Sequence, residues 1–211
     1  MQVLTIIQAR LSSTRLPGKV LLPIAGKTML EHVIDAAPEP RILAIPNDEP
    51  KLSEFSKNLE IDVFEGPPHD VLSRFWQAML FYELEFLAGK KVDYILRLTA
   101  DCPRLTKAMV VTFISRIFCP SAPPEAMILT NRPNDPDGYD MELFSRWALE
   151  QAYENTFYPA DREHVTTWMY RVLDVIRVPI FGELGKAMEV KVSVDTHNEY
   201  RYVKKMLEEG V

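Results

Sequence analysis

The chain is 211 residues long, 47% hydrophobic and 26% charged, with a net charge of -6 and a pI near 5.3. That length leads us to expect one domain, 1–211, with a full core. The acidic balance excludes a general nucleic-acid binder, whose affinity rests on cationic surface.

Val3 to Ile7 reads as a buried first strand. It is too short for a secretory leader and runs directly into Arg10. No apolar run in the chain is long enough to cross a bilayer. The two cysteines, Cys102 and Cys119, show neither metal nor disulfide spacing, so reduced thiols in a cytoplasmic protein without a membrane partner are expected. Val20 to Pro23 reads as extended and Gly26-Lys27 as a turn, after which Thr28 caps a helix through Ala37. Ile42 to Ile45 is a strand, Asp48 to Leu59 a helix and Ile61 to Phe64 a third strand. His69-Asp70 opens a long helix to about Leu87, and Val92 to Leu98 is a central strand emptying into Thr99-Ala100-Asp101-Cys102-Pro103. Strands alternating with helices predict βαβ units and a mostly parallel sheet.

The second half is less regular. A helix is expected from Thr106 to Phe118, a loop from Cys119 to Pro124, a strand from Ala126 to Thr130 and a loop from Asn131 to Tyr139. Met141 to Phe144 reads as extended, Ser145 to Glu154 as a helix, and Asp161 as the cap of a helix through Val172. Val175 to Pro179 and Val190 to Val194 read as strands, and about His197 to Glu209 as the closing helix.

The loop after the first strand carries Arg10, Arg15 and Lys19, the hydroxyls of Ser12, Ser13 and Thr14, and a Pro-Gly turn. A buried strand delivers such a loop to the carboxyl edge of a parallel sheet, where open α/β folds bind ligands. Cations, hydroxyls and backbone N–H groups together suit a polyphosphate. A charged surface loop would have the same composition; three cations on one short loop at a strand end favour phosphate. Asp101 and Asp195 each follow a predicted strand, so both fall on that same edge. Either alone reads as a helix cap. Facing a triphosphate, the pair makes a place for Mg2+, which takes few protein oxygens and completes its octahedron with phosphate and water.

Other motifs carry less. Gly26-Lys27-Thr28 is not a P-loop, because Leu21 stands where the motif needs glycine. Asp137-Gly138-Tyr139-Asp140 is a turn whose acidic, aromatic and hydroxyl groups also suit a polar substrate. Arg162-Glu163-His164 reads as a capping and salt-bridge cluster, and the four histidines lack zinc spacing. Cys102, beside Pro103, reads as an inert thiol.

Several stretches together resemble the cytidylyltransferases that activate acidic sugars, the family of CMP-Kdo synthetases, acylneuraminate cytidylyltransferases and, nearest in look, spore coat polysaccharide biosynthesis protein F. They are IIQARLSSTRLPGKVLLPIAGKTMLEHVI at 6–34, DVLSRFWQA at 70–78, RLTADCPRL at 97–105, DGYDMELFS at 137–145, REHVT at 162–166 and SVDT at 193–196. Gln8 departs from the proline that sugar-acid synthetases commonly carry before the Ala-Arg pair. The resemblance implies a nucleotide-diphosphosugar-transferase fold, a Rossmann-like three-layer α/β/α sandwich, usually a homodimer. It implies that Arg10, Ser12, Ser13, Arg15 and Lys19 hold the CTP triphosphate, with Lys19, Arg15 and Asp101 catalytic. Asp101 and Asp195 would hold Mg2+, and Asp70 and Arg74 would contact the nucleoside. Asp137, Tyr139, Asp140, Glu142, Arg162 and His164 would serve the acceptor side or a dimer interface, within an excursion at about 131–172. The expected reaction is Mg2+-dependent transfer of CMP from CTP to an acidic sugar, with release of pyrophosphate, in surface polysaccharide synthesis. A glycosyltransferase using a nucleotide sugar, and a non-catalytic nucleotide-binding scaffold, are the alternatives.

Overall fold

A computed structural model describes residues 1–116, 127–181 and 191–210. β1 (Val3–Gln8) leads through the basic loop into a 3-10 turn at Lys19–Leu21 and a two-residue hairpin, β2 (Pro23–Ile24) and β3 (Lys27–Thr28). α1 (Met29–Ala36), β4 (Arg41–Pro46), α2 (Pro50–Ser56), β5 (Asp62–Gly66), α3 (Val71–Glu85), β6 (Tyr94–Thr99) and α4 (Lys107–Ser115) follow. Then come β7 (Met127–Thr130), β8 (Glu142–Ser145), α5 (Arg146–Asn155), α6 (Pro159–His164), α7 (Thr167–Val172), β9 (Asp174–Arg177) and α8 (His197–Glu209).

Among the described residues, seven strands form one sheet in the order β5-β4-β1-β6-β8-β7-β9, and only β8 runs against its neighbours. The chain winds outward from β1 through β4 to β5, then crosses back to β6 on the other side of β1. The boundary of β1 and β6 is therefore a topological switch point, where adjacent loops part and leave a crevice. Period-two side chains divide the core. Leu4, Ile6, Ile42 and Ala44 pack under α3 and α5, while Ile7, Leu43, Leu96 and Leu98 pack towards α1 and α4. This is the three-layer α/β/α sandwich with a mostly parallel sheet.

Local chemistry set several boundaries as expected. Thr28 and Thr196 each make a capping box with the glutamate three residues on. Asp70 caps α3 by accepting the Ser73 N–H at 2.9 Å.

Four expectations need correction. Val20 to Pro23 is not one extended run: Gly18, at φ 72°, turns the chain into the 3-10 segment so that Leu16 and Val20 both reach the core. Asp161 does not cap a single helix to Val172. α6 and α7 are separated by buried Val165 at φ 56°, and Asp161 lies inside α6, ion-paired with Arg171. Asp48 to Leu59 contracts to α2, entered through Pro50. Residues 191–194 are not a strand, because their N–H groups bond to loops: Val192 and Ser193 to the Asp137 carbonyl at 2.7 and 3.1 Å, Val194 to the Asp101 carbonyl at 3.0 Å. The expected loop from Cys119 to Pro124 lies outside the described residues.

Candidate active site

At the carboxyl edge of β1 and β6 the fold opens a cavity of about 510 Å3, the size of a small-molecule site. The loop after β1 forms one wall. Leu16 and Val20 anchor it in the core, and the Glu49 carboxylate pins it by accepting the backbone N–H groups of Leu11 (2.6 Å) and Ser12 (2.9 Å). Arg10, Ser12, Ser13, Thr14, Arg15 and Lys19 all line the cavity.

Lys19 is the hub. Its side chain runs inward, 8% exposed for the residue, and Nζ donates to Asp101 Oδ2, Asp195 Oδ1 and the Val194 carbonyl, each at 2.8 Å. Three acceptors saturate an ammonium. Burial pulls its pKa down, but the two carboxylates outweigh that and raise it. Asp195 also meets Lys191 at 2.7 Å and Arg15 at 3.0 Å. Burial pushes the Asp195 carboxyl up, yet hydrogen bonds from Lys19 and Lys191 prevail and hold it at about 2. Neither aspartate is a helix cap: α4 is capped by Thr106 and α8 by Thr196. Burial raises the Cys102 thiol well above its ordinary value, so it is no nucleophile near neutrality.

Two carboxylates reaching one point suit Mg2+, which is commonly held by one or two protein carboxylates together with substrate phosphates. Among the described residues no group of three or more histidine, cysteine, aspartate or glutamate side chains forms a fuller metal cage. The donor set thus fits a nucleotide-borne Mg2+ better than a resident one.

The far wall comes from residues 131–141, β8 and the Arg97 side chain of β6. Asp137, Asp140, Glu142, Arg132 and Arg97 line it, with Glu163 and His164 from α6 at the rim. Glu142 is 4% exposed; it pairs with Arg97 through one oxygen and accepts from Thr166 (3.0 Å) and Tyr170 (2.6 Å) through the other. Burial raises its pKa, but Arg97 and the hydrogen bonds from Tyr170 and Thr166 together outweigh this and the carboxyl is lowered. Gln8 completes the group by accepting from Arg97 Nε (3.4 Å) and Nη2 (3.2 Å), which a proline there could not do.

Four residues singled out from sequence do not line the cavity. Asp70 caps α3 and pairs with Arg162 at 2.7 Å, and Arg162 also donates to the Tyr153 and Thr156 carbonyls. Arg74 is fully buried and donates to the Pro67 carbonyl at 2.9 Å, its pKa lowered to about 10 by burial and by Arg10. Tyr139 is buried behind its own loop, with its hydroxyl accepting from Arg104 at 3.0 Å. Sequence reading missed Glu49, Arg97, Arg132 and Lys191. Arg97 alone carried a signal, as a charged residue inside an apolar strand.

No helix among the described residues is long and apolar enough to cross a membrane. The chain is similar to the uncharacterized protein MJ1063 of Methanocaldococcus jannaschii, at 28% identity over 95% of this chain and 81% of that one. It is similar also to the spore coat polysaccharide biosynthesis protein SpsF of Bacillus subtilis, at 24% identity over 99% of this chain and 87% of that one. Among solved structures, a cytidylyltransferase from Leptospira borgpetersenii superposes with a TM-score of 0.85 at 25% identity, covering 99% of this chain and 87% of its own. The cytidylyltransferase family profile matches residues 4–206. The chain belongs to the cytidylyltransferase family and is a nucleotidyltransferase.

Proposed function

We propose that this enzyme transfers CMP from CTP to a hydroxyl of an acidic sugar, releasing pyrophosphate, for surface polysaccharide synthesis. The observation that carries this reading is Lys19 held between Asp101 and Asp195 at the switch-point crevice, beside a loop rich in cations and hydroxyls. The likeness to SpsF supports the polysaccharide context.

Arg10 and Arg15 are themselves largely exposed, and among the described residues they pair with Glu163 at 3.5 Å and with Asp195 at 3.0 Å. Exposed ion pairs are weak, so a triphosphate readily takes over both guanidiniums. Ser12 and Ser13 add hydrogen bonds to phosphate oxygens. Asp101 and Asp195 would hold Mg2+, which when bound supplies charge neutralisation at the α-phosphate. Lys19, its three N–H groups already donated, acts through its charge on the leaving pyrophosphate. In-line displacement at phosphorus needs mainly such positioning and charge stabilisation. Arg132, half-exposed at the acceptor wall, offers the cation that a sugar carboxylate requires. We propose further that the protein works as a cytoplasmic homodimer, which light scattering tests.

The test is pyrophosphate release with Mg2+, each of the four nucleoside triphosphates and a panel of acidic sugars that includes 3-deoxy-manno-octulosonate. Release is expected with CTP and one acceptor, and is abolished by EDTA. Folded Lys19→Ala and Asp101→Asn proteins should each lose more than about a hundredfold in turnover. Wild-type rates in either, or release of a nucleoside diphosphate from a nucleotide sugar instead, overturn the reading.

A further inference from the structure

Transfer to a hydroxyl leaves one requirement unmet by the residues discussed so far: something must take the acceptor's proton. Resting on the proposed cytidylyl transfer, we propose that Asp140, backed by Asp137, is the general base that removes this proton.

Position comes first. Asp140 lines the same cavity as Lys19, Asp101 and Asp195, on the opposite wall from the triphosphate loop. Its loop is fastened to the segment that carries Asp195. Gly138, at φ 110°, lies so close to that segment that a Cβ there would fall 2.1 Å from the Ser193 nitrogen. Val192 and Ser193 donate to the Asp137 carbonyl, and Val194 donates to the Asp101 carbonyl. One chain of backbone contacts thus ties the Asp137–Asp140 pair to both carboxylates at the reaction centre.

Elimination comes second. Asp101 and Asp195 are engaged by Lys19, and Asp195 is held in its ionised form by Lys191 as well. Glu142 has its oxygens taken by Arg97, Thr166 and Tyr170, and Glu163 and His164 stand exposed at the cavity rim on α6. Asp140 has a looser environment. Arg132 Nε stands 3.6 Å from Oδ1, and the carboxyl shares a hydrogen bond with Asp137. Among the described residues, the other charged or titratable groups around the pair are Glu142 on β8, the Cys102 thiol after β6 and Lys191, 3.8 Å from Asp137, with Tyr170 on α7 beside Arg132. Burial raises the Asp140 carboxyl most, Arg132 opposes it, and Asp137 and Glu142 add to the rise, bringing it to about 7. A carboxylate whose pKa lies near the working pH is an effective proton acceptor.

In the step itself the acceptor O–H bond breaks and its proton passes to an Asp140 carboxylate oxygen. The acceptor oxygen forms a bond to the α-phosphorus as the bond from that phosphorus to the bridging oxygen breaks. That electron pair leaves with pyrophosphate. Asp140 then returns the proton to solvent, and Asp137 stabilises the protonated carboxyl meanwhile.

Two measurements on the full chain test this. In carboxyl 13C NMR, the resonance missing from Asp140→Asn should titrate near pH 7 in wild type and fall towards the ordinary aspartate range in Asp137→Asn. In pyrophosphate release from CTP, using the acceptor found in the panel above, wild-type kcat/KM should rise with pH through about 7. Asp140→Asn should lose about a hundredfold or more in kcat with unchanged CTP affinity and no such limb, and Asp140→Glu should recover part of both. A limb that persists in Asp140→Asn, or a resonance titrating as an ordinary aspartate, overturns the proposal while leaving the transferase reading intact. If the wild type releases no pyrophosphate with any pair, the transferase reading falls and this assignment falls with it.

Discussion

Lys19 and Asp195 lie 176 positions apart in the chain and meet at 2.8 Å beneath the cavity. Two lysines share that carboxylate, so its ionised form is favoured in the folded chain over the unfolded one. The Asp195 carboxyl at about 2, against an ordinary 3.8, is a depressed acid. Its contribution is therefore complete above pH 4 and is lost as pH falls from there towards 2. The shift corresponds to about 2 kcal/mol. Urea denaturation should show Asp195→Asn less stable than wild type by roughly that amount at pH 7, with the gap closing by pH 2. A gap independent of pH refutes this account.

Gly138→Ala should do more harm than an equally left-handed glycine elsewhere. Its Cβ would meet backbone at 2.1 and 2.3 Å, whereas a Cβ on Gly89, also at positive φ, meets nothing within 4 Å. Both substitutions strain the backbone by about 1 kcal/mol; only Gly138→Ala must also displace residues 192 and 193. We expect a drop of more than about 2 kcal/mol in stability and a loss of turnover, since Asp195 moves with its segment. Chemical denaturation and pyrophosphate release on both variants decide it.

Glu142→Gln keeps the shape of a buried side chain and removes its charge. Arg97, also largely buried, then stands uncompensated. Breaking one side of such a pair costs about 3–5 kcal/mol, and denaturant titration at pH 7 should find a loss in that range. Replacing Gln8 by proline removes Arg97's other acceptor and should add to the loss.

Glu49→Gln tests how the loop after β1, the proposed triphosphate site, is held. The carboxylate spans two successive N–H groups, at Leu11 and Ser12, and a carboxamide offers only one acceptor oxygen. The global fold should survive, with thermal unfolding within a few degrees of wild type. CTP affinity by calorimetry should fall by about tenfold as the loop loosens. Unchanged affinity would show that Leu16 and Val20 alone shape the loop.

How much of this could be read from sequence depended on whether the signal was local. The threonine cap at Thr28 was legible because a capping box lies within four residues, whereas at the last helix the cap is Thr196 and not Asp195. The buried parallel strands were legible from apolar runs. Asp195 reached the reaction edge by a route that its residues misrepresented. Val190 to Val194 has strand composition, but its N–H groups are claimed by the carbonyls of Asp137 and Asp101, far away in sequence. The break at Val165 was equally hidden, since a β-branched residue at φ 56° contradicts propensity. Burying Val165 and aiming Thr166 at Glu142 evidently outweigh that preference. Glu49 gave no signal, because an acidic residue ahead of Pro50 reads as an ordinary helix start.

The reversed strand β8 has a consequence for how this fold diversifies. Parallel strands reach the cavity edge only at their carboxyl ends, and at β1 and β6 those ends carry the cationic loop and Asp101. Because β8 runs the other way, it begins at that edge: Glu142, its first residue, lies opposite Arg97. Within the segment 131–141, Asp137 and Gly138 are fixed against residues 192 and 193, so exchanges at its other positions leave β1, β6 and their loops in place. On the proposed reading, a new acceptor preference can arise there by exchange of a few residues, with the cationic loop after β1 left unaltered.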